Sequence, residues 1–445
     1  MQRPFIVSRS RAFALAISSC VLAGALSGCT VATSSGDEPT PDVESEEGSL
    51  VLKDGDSLAR PALRLVERAG DVNALGALGL AKSDAAAVLA HREGLDGVLG
   101  TVDDDPIQTI EELSVVLGSS TRRGSLRRLA TAAGKASDAT DEECSASSPR
   151  RAPLPVFATP QPADRRYLPI TALVDAARAT IEVTMYQLSS PVIIASLQAA
   201  ARGVDVRVLV DRAQPENTPL VADLASRGIH AKLTSARFTY THQKTMTVDH
   251  QRTLVFSGNF DRLSFESGRN YGTVTSDPED VWDFVDLFEA DWIDAPISIA
   301  CTRLVLSPGS SPRIVEIIDS AKATLEMEAL YASDNGVLSA LERAHARGVT
   351  IRVVFNDPKF HVGDASDEAA RLAKSQIPVK RLPKQFVHAK ILVADGTGFF
   401  VGSENFSWGS LVKNREAGLR IDLDPVAQST ISSTFEADWA AGVDF

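Results

Sequence analysis

Two stretches of this chain, ATIEVTMYQLSSPVIIASLQAAARGVDVRVLVD (residues 179–211) and ATLEMEALYASDNGVLSALERAHARGVTIRVVFND (323–357), are versions of one pattern. Each reads as a strand, a helix of period 3.6, an Arg-Gly turn and a second strand of alternating Val, Ile and Leu. Their Arg-Gly-Val pieces begin at Arg202 and Arg347, 145 residues apart. A repeat of that length is far too long for a solenoid, so it describes two fused domains. Strands alternating with helices predict an α/β fold, each domain a sheet covered by helices, over residues 157–300 and 301–445.

A second pattern travels with the first. THQKTMTVDHQRTLVFSGNF starts at Thr241, and VHAKILVADGTGFFVGSENFSWGSL starts at Val387. Both contain His-x-Lys-x4-Asp: His242, Lys244 and Asp249 in one, His388, Lys390 and Asp395 in the other. Ser257 and Ser403 follow the Asp by eight residues, Asn259 and Asn405 by ten. Each copy reads as a hairpin, the second turning at Asp395-Gly396-Thr397-Gly398. On a strand, residues i and i+2 share a face, so each His should point with its Lys. An imidazole beside an ammonium is a poor core pair, and the pairing asks for a chemical reason.

The doubled motif resembles the two HKD motifs of the phospholipase D superfamily. That resemblance implies two fused α/β/α sandwich repeats related by a pseudo-twofold, with both motifs meeting in one active site that is complete in a monomer. It implies phosphodiester chemistry without a cofactor or metal. Two Lys, two Asn and two Ser can cradle the non-bridging oxygens, where transition-state charge spreads. One neutral His attacks phosphorus, and the other protonates the leaving alkoxide and then activates water. The Asp of each motif is implied to be structural.

Two positions depart from the pattern. Phe256 stands where Gly402 stands in the second copy, a place that suggests close backbone approach. Family members also orient each His with a carboxylate farther along. Glu416 lies 28 residues after His388 and is expected to hold it, whereas the same spacing from His242 reaches Asn270. An Asn cannot stabilise an imidazolium electrostatically. The expectation is therefore His242 as nucleophile and His388 as general acid/base.

The rest of the chain suggests a setting. Arg3, Arg9 and Arg11 precede an apolar run from Ala12 to Ala25, and Leu26-Ser27-Gly28-Cys29 resembles a bacterial lipobox. Residues 1–28 are expected to be a signal peptide and Cys29 the lipidation site, anchoring the protein in the cell envelope facing periplasm or exterior. Residues 29–49 carry six acids and no base, a disordered tether. Residues 50–132 read as a small all-α domain with two hairpins, each with a Gly (Gly79, Gly118) before a new helix. It resembles the helix-hairpin-helix domain, whose helix starts meet phosphates; a helical spacer fits the same pattern. Residues 133–156 read as a linker, and Cys144 and Cys301 either pair or stay separate thiols.

With a net charge of −13, the chain as a whole repels polyanions. The leading expectation is thus a phospholipase D-type enzyme that cleaves a phospholipid head group at a membrane. One alternative is an envelope-anchored nuclease, holding nucleic acid through residues 50–132. Another is a non-catalytic DNA- or partner-binding lipoprotein with a degenerate site, suggested by Phe256 and Asn270.

Overall fold

The computed structural model describes residues 52–53, 58–97, 107, 109–137, 150, 153–297, 299, 302–422 and 424–445, all within one compact unit, Ser49–Phe445. The expected signal, tether and Cys29, and the thiols Cys144 and Cys301, lie outside them.

The first part is helical: α1 (Ala59–Arg68), α2 (Val72–Ala77), α3 (Lys82–Arg92), α4 (Ile110–Val116) and α5 (Arg122–Ser137). Asp71 and Thr109 cap α2 and α4 by accepting the N–H groups of Ala74 and Glu112. Leu63, Val66, Leu75, Val88, Leu113 and Leu129 form the core. Helix α5 runs five residues past the boundary expected at 132, because Ala133 still packs into that core. The start of α5 is already occupied by a charge. Asp84 accepts the Gly118 N–H (3.2 Å) and the hydroxyls of Thr121 (2.8 Å) and Ser125 (2.7 Å). This carboxylate takes the helix-start position where a bound phosphate would sit.

The first repeat comprises β1 (Val156–Thr159), α6 (Leu168–Asp175), β2 (Thr180–Met185), α7 (Pro191–Ala200), β3 (Asp205–Val210), α8 (Asn217–Ser226), β4 (His230–Leu233), β5 (Lys244–Val248), β6 (Arg252–Phe256), α9 (Arg262–Glu266), β7 (Gly268–Thr275) and α10 (Pro278–Trp292). The second comprises β8 (Leu304–Ser307), α11 (Ser311–Ser320), β9 (Thr324–Ala329), α12 (Asn335–Ala346), β10 (Thr350–Phe355), α13 (Ser366–Lys374), β11 (Val379–Arg381), β12 (Phe386–Val387), β13 (Lys390–Ala394), β14 (Gly398–Gly402), α14 (Trp408–Val412), β15 (Glu416–Asp422), α15 (Pro425–Ala441) and β16 (Val443–Asp444).

The strand orders match: β1-β7-β6-β5-β2-β3-β4 in one sheet and β8-β15-β14-β13-β9-β10-β11 in the other, with β16 added at the edge. Within each sheet, β2-β3-β4 and β9-β10-β11 run parallel and the other pairs of these orders antiparallel, while β12 of the second repeat adds to β7 of the first in parallel. One face of each sheet packs its own helices, through Ile181, Val208 and Leu197 in the first and Met327, Val353 and Leu338 in the second. The other faces share a single cluster that includes Val255, Tyr271, Phe284, Ile391, Phe399, Leu419 and Phe435. The two repeats thus have one common core, which fixes their relative placement.

Each motif hairpin turns through a three-residue loop whose first two residues have positive φ: Asp249 (53°) and His250 (51°), Asp395 (53°) and Gly396 (65°). The Asp249 carboxylate accepts the backbone N–H groups of Arg178, Ala179 and Thr180 at 2.8–2.9 Å. Asp395 does the same for Lys322, Ala323 and Thr324. These carboxylates tie the turn to the start of β2 or β9. They stand at the end of the hairpin opposite the histidines. Asp249→Asn tolerates the left-handed backbone but offers one acceptor oxygen in place of two. It is expected to cost about 1–3 kcal/mol of stability and leave kcat of the folded enzyme unchanged. Thermal melting together with kcat checks this.

At that same far end the helical part docks. The His250 ring lies 5.4 Å from Trp282, which joins the helical core with Val281 and Val285 of α10. Arg64 pairs with Asp286 (2.6 Å) and Asp283, and Arg68 with Asp283 (3.1 Å). An extended chain from His242 to His250 spans roughly 25 Å, so the helical part does not line the space around the histidines.

Candidate active site

The His-x-Lys pair is not on one continuous strand, contrary to the simplest reading of its alternation. Thr241 bridges to Arg415 of the other repeat, and Lys244 then joins β2 of its own. The second copy repeats this: Phe386 and Val387 pair with Gly268 and Arg269 before Lys390 joins β9. Each His occupies the crossing point, and its N–H donates across the interface. His242 bonds the Arg415 carbonyl (2.8 Å), and His388 bonds that of Arg269 (2.9 Å). Each histidine's position is therefore a property of both repeats.

The same crossing corrects the expected partners. Glu416 holds His242, not His388: its Oε2 lies 2.8 Å from His242 Nδ1. Asn270 holds His388, with Oδ1 3.0 Å from Nδ1. Spacing along the chain suggested partners within one repeat, but the strand carrying Glu416 runs beside the first motif. Glu416 also accepts from Ser403 Oγ (2.8 Å), Ser410 Oγ and Asn414 Nδ2 (3.1 Å). Asn270 is oriented by donating Nδ2–H to the Ser264 carbonyl (3.1 Å), which leaves Oδ1 to accept. Both histidines then carry the proton on Nδ1 and present Nε2 to the site.

Lys244 and Lys390 are fully buried beneath the histidines. Lys390 Nζ donates to the His388 carbonyl (2.7 Å) and lies 3.0 Å from its Nδ1; Lys244 donates to the His242 carbonyl. Asn259 and Asn405 each keep a buried side-chain oxygen without a protein partner, while their backbone N–H groups are held by Ser264 and Ser410. An amide oxygen cannot bond a phosphate oxygen, so it is through the Nδ2–H donors of these two amides that they would hold a phosphate. Ser257 and Ser403 are not available to one. Both are fully buried, and their hydroxyls donate to Asn270 (3.2 Å) and Glu416 (2.8 Å), so they position the orienting groups rather than a substrate oxygen.

Phe256 also has a structural account. Across the strand pair it faces Gly272, where a Cβ would come within 2.9 Å of its ring, and it stacks on Phe157 and Phe265 at 5.6 and 5.3 Å. In the second copy, Gly402 and Gly418 leave the corresponding space to the Phe400 ring and the Glu404 carboxyl. Phe-x-Gly in one repeat thus stands where the other has Gly-x-Glu, each with glycine on the facing strand. Glu404 is fully buried with both oxygens unpartnered, and burial followed by the nearby Glu416 charge pushes its pKa far up. It is held neutral.

Sequence reasoning missed two pairs of positioning residues. Asp211 accepts the Thr241 N–H (2.5 Å) and Asn356 the Val387 N–H (3.1 Å), each fixing the residue just before a catalytic His. Both stand at matching places after the second strand of the duplicated pattern, so the signal was there. Arg415 pairs with Asp291 of α10 (2.9 Å) and Arg269 with Asp438 of α15 (2.6 Å), locking each crossing strand to the opposite repeat.

The charges divide unequally. Asp211 and Glu416 adjoin the first motif, and the corresponding residues at the second are the amides Asn356 and Asn270. Burial lowers the His242 pKa to about 4, opposed by Glu416 and reinforced by Lys244. His388 falls further below its ordinary value, through burial and then Lys390 and Lys244. Burial lowers Lys244 to about 7, again opposed by Glu416. A neutral His242 is lost as pH falls through about 4, and a charged Lys244 as pH rises through about 7. The kcat/KM profile of the free enzyme is expected to show its acid limb near 4, where His242 takes up a proton and ceases to be a nucleophile.

This geometry has relatives. A family profile for "Cardiolipin synthase, PLD-like domain" matches residues 170–292 and 314–439, more than half of the chain. The chain belongs to the phospholipase D superfamily, with two PLD-like domains. It is 29% identical over 150 residues to "Phospholipase D Z" of Dictyostelium discoideum, covering 29% of this chain and 35% of that protein. It is 25% identical over 156 residues to "5'-3' exonuclease PLD3" of Xenopus laevis, covering 31% and 32%. The matched part thus spans about a third of these relatives. Among solved structures, phosphatidylserine synthase of Haemophilus influenzae superposes with a TM-score of 0.52 at 10% identity, over 70% of this chain and 91% of that one, a likeness of fold.

Proposed function

We propose that the protein is a phosphodiesterase working through a phosphohistidine on His242. The observation that carries this is the paired histidines, each with Nδ1 engaged and Nε2 presented above a buried lysine. His242 Nε2 attacks phosphorus, forming the N–P bond as the bond to the leaving oxygen breaks. His388 gives that oxygen its proton. Water then gives a proton to His388 and attacks phosphorus, and the N–P bond breaks to restore His242. The crossed partners remove the ground on which the sequence assigned the roles, since the carboxylate expected to support His388 as the acid lies on His242 instead. The roles rest on a different ground: a carboxylate on Nδ1 makes His242 a better nucleophile and stabilises the cationic phosphohistidine. The scheme assigns no step to a metal.

The substrate we favour is a phospholipid. Trp408 (57% exposed) and Tyr240 (40% exposed) flank the site, and the Lys413 ammonium lies 5.2 Å from the Trp408 ring. Exposed aromatics beside a cation suit a membrane interface. A lipid on Cys29 would hold the site at the envelope. The nuclease reading rests on the same aromatics, which can stack bases, and on the exonuclease among the relatives. Against it, the helical part docks at the far end of the sheet, and Asp84 occupies the start of α5. The full chain in detergent, with EDTA, is to be offered phosphatidylglycerol and phosphatidylcholine, followed by 31P NMR, and plasmid DNA, followed on a gel. Phosphatidate formation that disappears in His242→Asn supports the proposal. DNA nicking without lipid turnover would overturn the phospholipid assignment, and no turnover of either would overturn the enzyme.

A further inference from the structure

The site opens along two aromatic walls. On one side, His242 meets Tyr186 edge-on with ring centroids 4.7 Å apart, and Tyr186 meets Tyr240 at 5.9 Å. On the other, His388 stacks on Phe386 at 5.8 Å, and Phe386 meets the half-buried Phe360 at 5.6 Å. The walls differ in chemistry. The Tyr186 hydroxyl accepts from Gln214 Nε2 (2.5 Å). The rings of Phe386 and Phe360 offer no polar atom, and the charge on that wall is the Lys359 ammonium, 5.1 Å from the Phe360 centroid.

We propose that the Phe386–Phe360 wall is the leaving-group subsite, and that Lys359 makes it select neutral or anionic alcohols over cationic ones. This rests on His388 being the acid. The leaving oxygen must come within hydrogen-bond reach of the acid that protonates it, so the alcohol departs along the wall that adjoins His388. The ester that stays on phosphorus is left the exit past Tyr186 and Tyr240.

Two tilted phenyl rings are otherwise a good seat for a quaternary ammonium. Here Lys359 already sits over Phe360, and a second cation meets charge repulsion at short range. The nearby carboxylates are committed elsewhere. Asp357 pairs with Arg381 (2.5 Å) and accepts the Lys359 N–H (3.0 Å), while Asp364 accepts the N–H (2.9 Å) and hydroxyl (2.5 Å) of Ser366. The loop is fixed. Asn356 Nδ2 donates to the Val362 carbonyl (2.7 Å), and Gly363, at φ 64°, approaches Leu330 and Tyr331 so closely that a Cβ would lie 2.7 Å from each. Lys359 is presented by a braced turn, and the head group it favours is of the glycerol kind rather than the choline kind.

An acceptor alcohol must enter where the leaving alcohol departs, so the test does not depend on which donor is natural. The full chain is to form its phosphohistidine from bis(p-nitrophenyl) phosphate in equal concentrations of glycerol and choline. Either alcohol gives its O–H proton to His388, its oxygen bonds phosphorus, and the N–P bond breaks. The ratio of the two new esters is read by mass spectrometry, an internal competition that loss of folded protein cannot move. The wild type is expected to favour glycerol about tenfold or more. K359E should shift the ratio about tenfold toward choline, K359A should shift it the same way by less, and Y240A should leave it unchanged. Equal capture by the wild type, or a ratio that follows Tyr240 and not Lys359, overturns the subsite assignment. Absence of nitrophenolate release from the wild type overturns the phosphodiesterase reading itself.

Discussion

His388→Asn is expected to react once with an activated diester and then stop. With p-nitrophenolate as leaving group no proton needs to be delivered, so His242 attacks and releases one equivalent of nitrophenolate per site. The second step then lacks the base that activates water, and the steady-state rate should fall about 10³-fold. With an ordinary alkyl diester the variant loses the first step as well, because an alkoxide leaves poorly unprotonated. His242→Asn should show no burst with either substrate. A burst retained in His242→Asn and lost in His388→Asn would exchange the two roles. The asymmetry behind this expectation is visible in the site, where His242 has Glu416 on Nδ1 and His388 has the neutral Asn270.

Glu416→Gln is expected to lower kcat about 10²- to 10³-fold while keeping the side-chain volume. Glu416 accepts from His242, Ser403, Ser410 and Asn414, all donors, and an amide cannot accept from all four. It also provides negative charge beside two buried lysines. Its loss has a definite sign in the pH profile. Glu416 raises the His242 pKa against burial, so without it the value drops below about 4 and the acid limb moves to lower pH. A merely structural defect would lower kcat without moving that limb. Asn270→Asp is the complementary change, since a carboxylate on His388 Nδ1 should raise its pKa.

These two sites also mark the limit of what the residues reveal in order. The duplication and the doubled motif were legible because both depend on spacing, and spacing survives folding. The sheet order was not, since periodicity marks strands and helices but not which strands lie side by side. The orienting residues were legible as a pair, Glu416 and Asn270, but their assignment was crossed. Distance along a chain does not report which strand of one repeat runs beside the other, and here Thr241 bridges to Arg415 and Val387 pairs with Arg269. Phe256 suggested a damaged half-site because it was read alone. In space it packs over Gly272, as Phe400 and Glu404 pack over Gly402 and Gly418 in the other repeat, so it belongs to the packing of its own half. Ser257 and Ser403 matched a phosphate-binding pattern, yet burial commits their hydroxyls to Asn270 and Glu416. Asp211 and Asn356 were overlooked because an acidic or amide residue after a strand looks like an ordinary loop residue until its backbone partner is known.

The most direct measurement is the position of the phosphoryl group. His388→Asn is to be mixed with bis(p-nitrophenyl) phosphate, quenched in base after the burst, digested and mapped by mass spectrometry. The expected result is one base-stable, acid-labile phosphoryl adduct on the peptide carrying His242. An adduct on any other residue, or nitrophenolate release in the burst with no adduct, would contradict the mechanism.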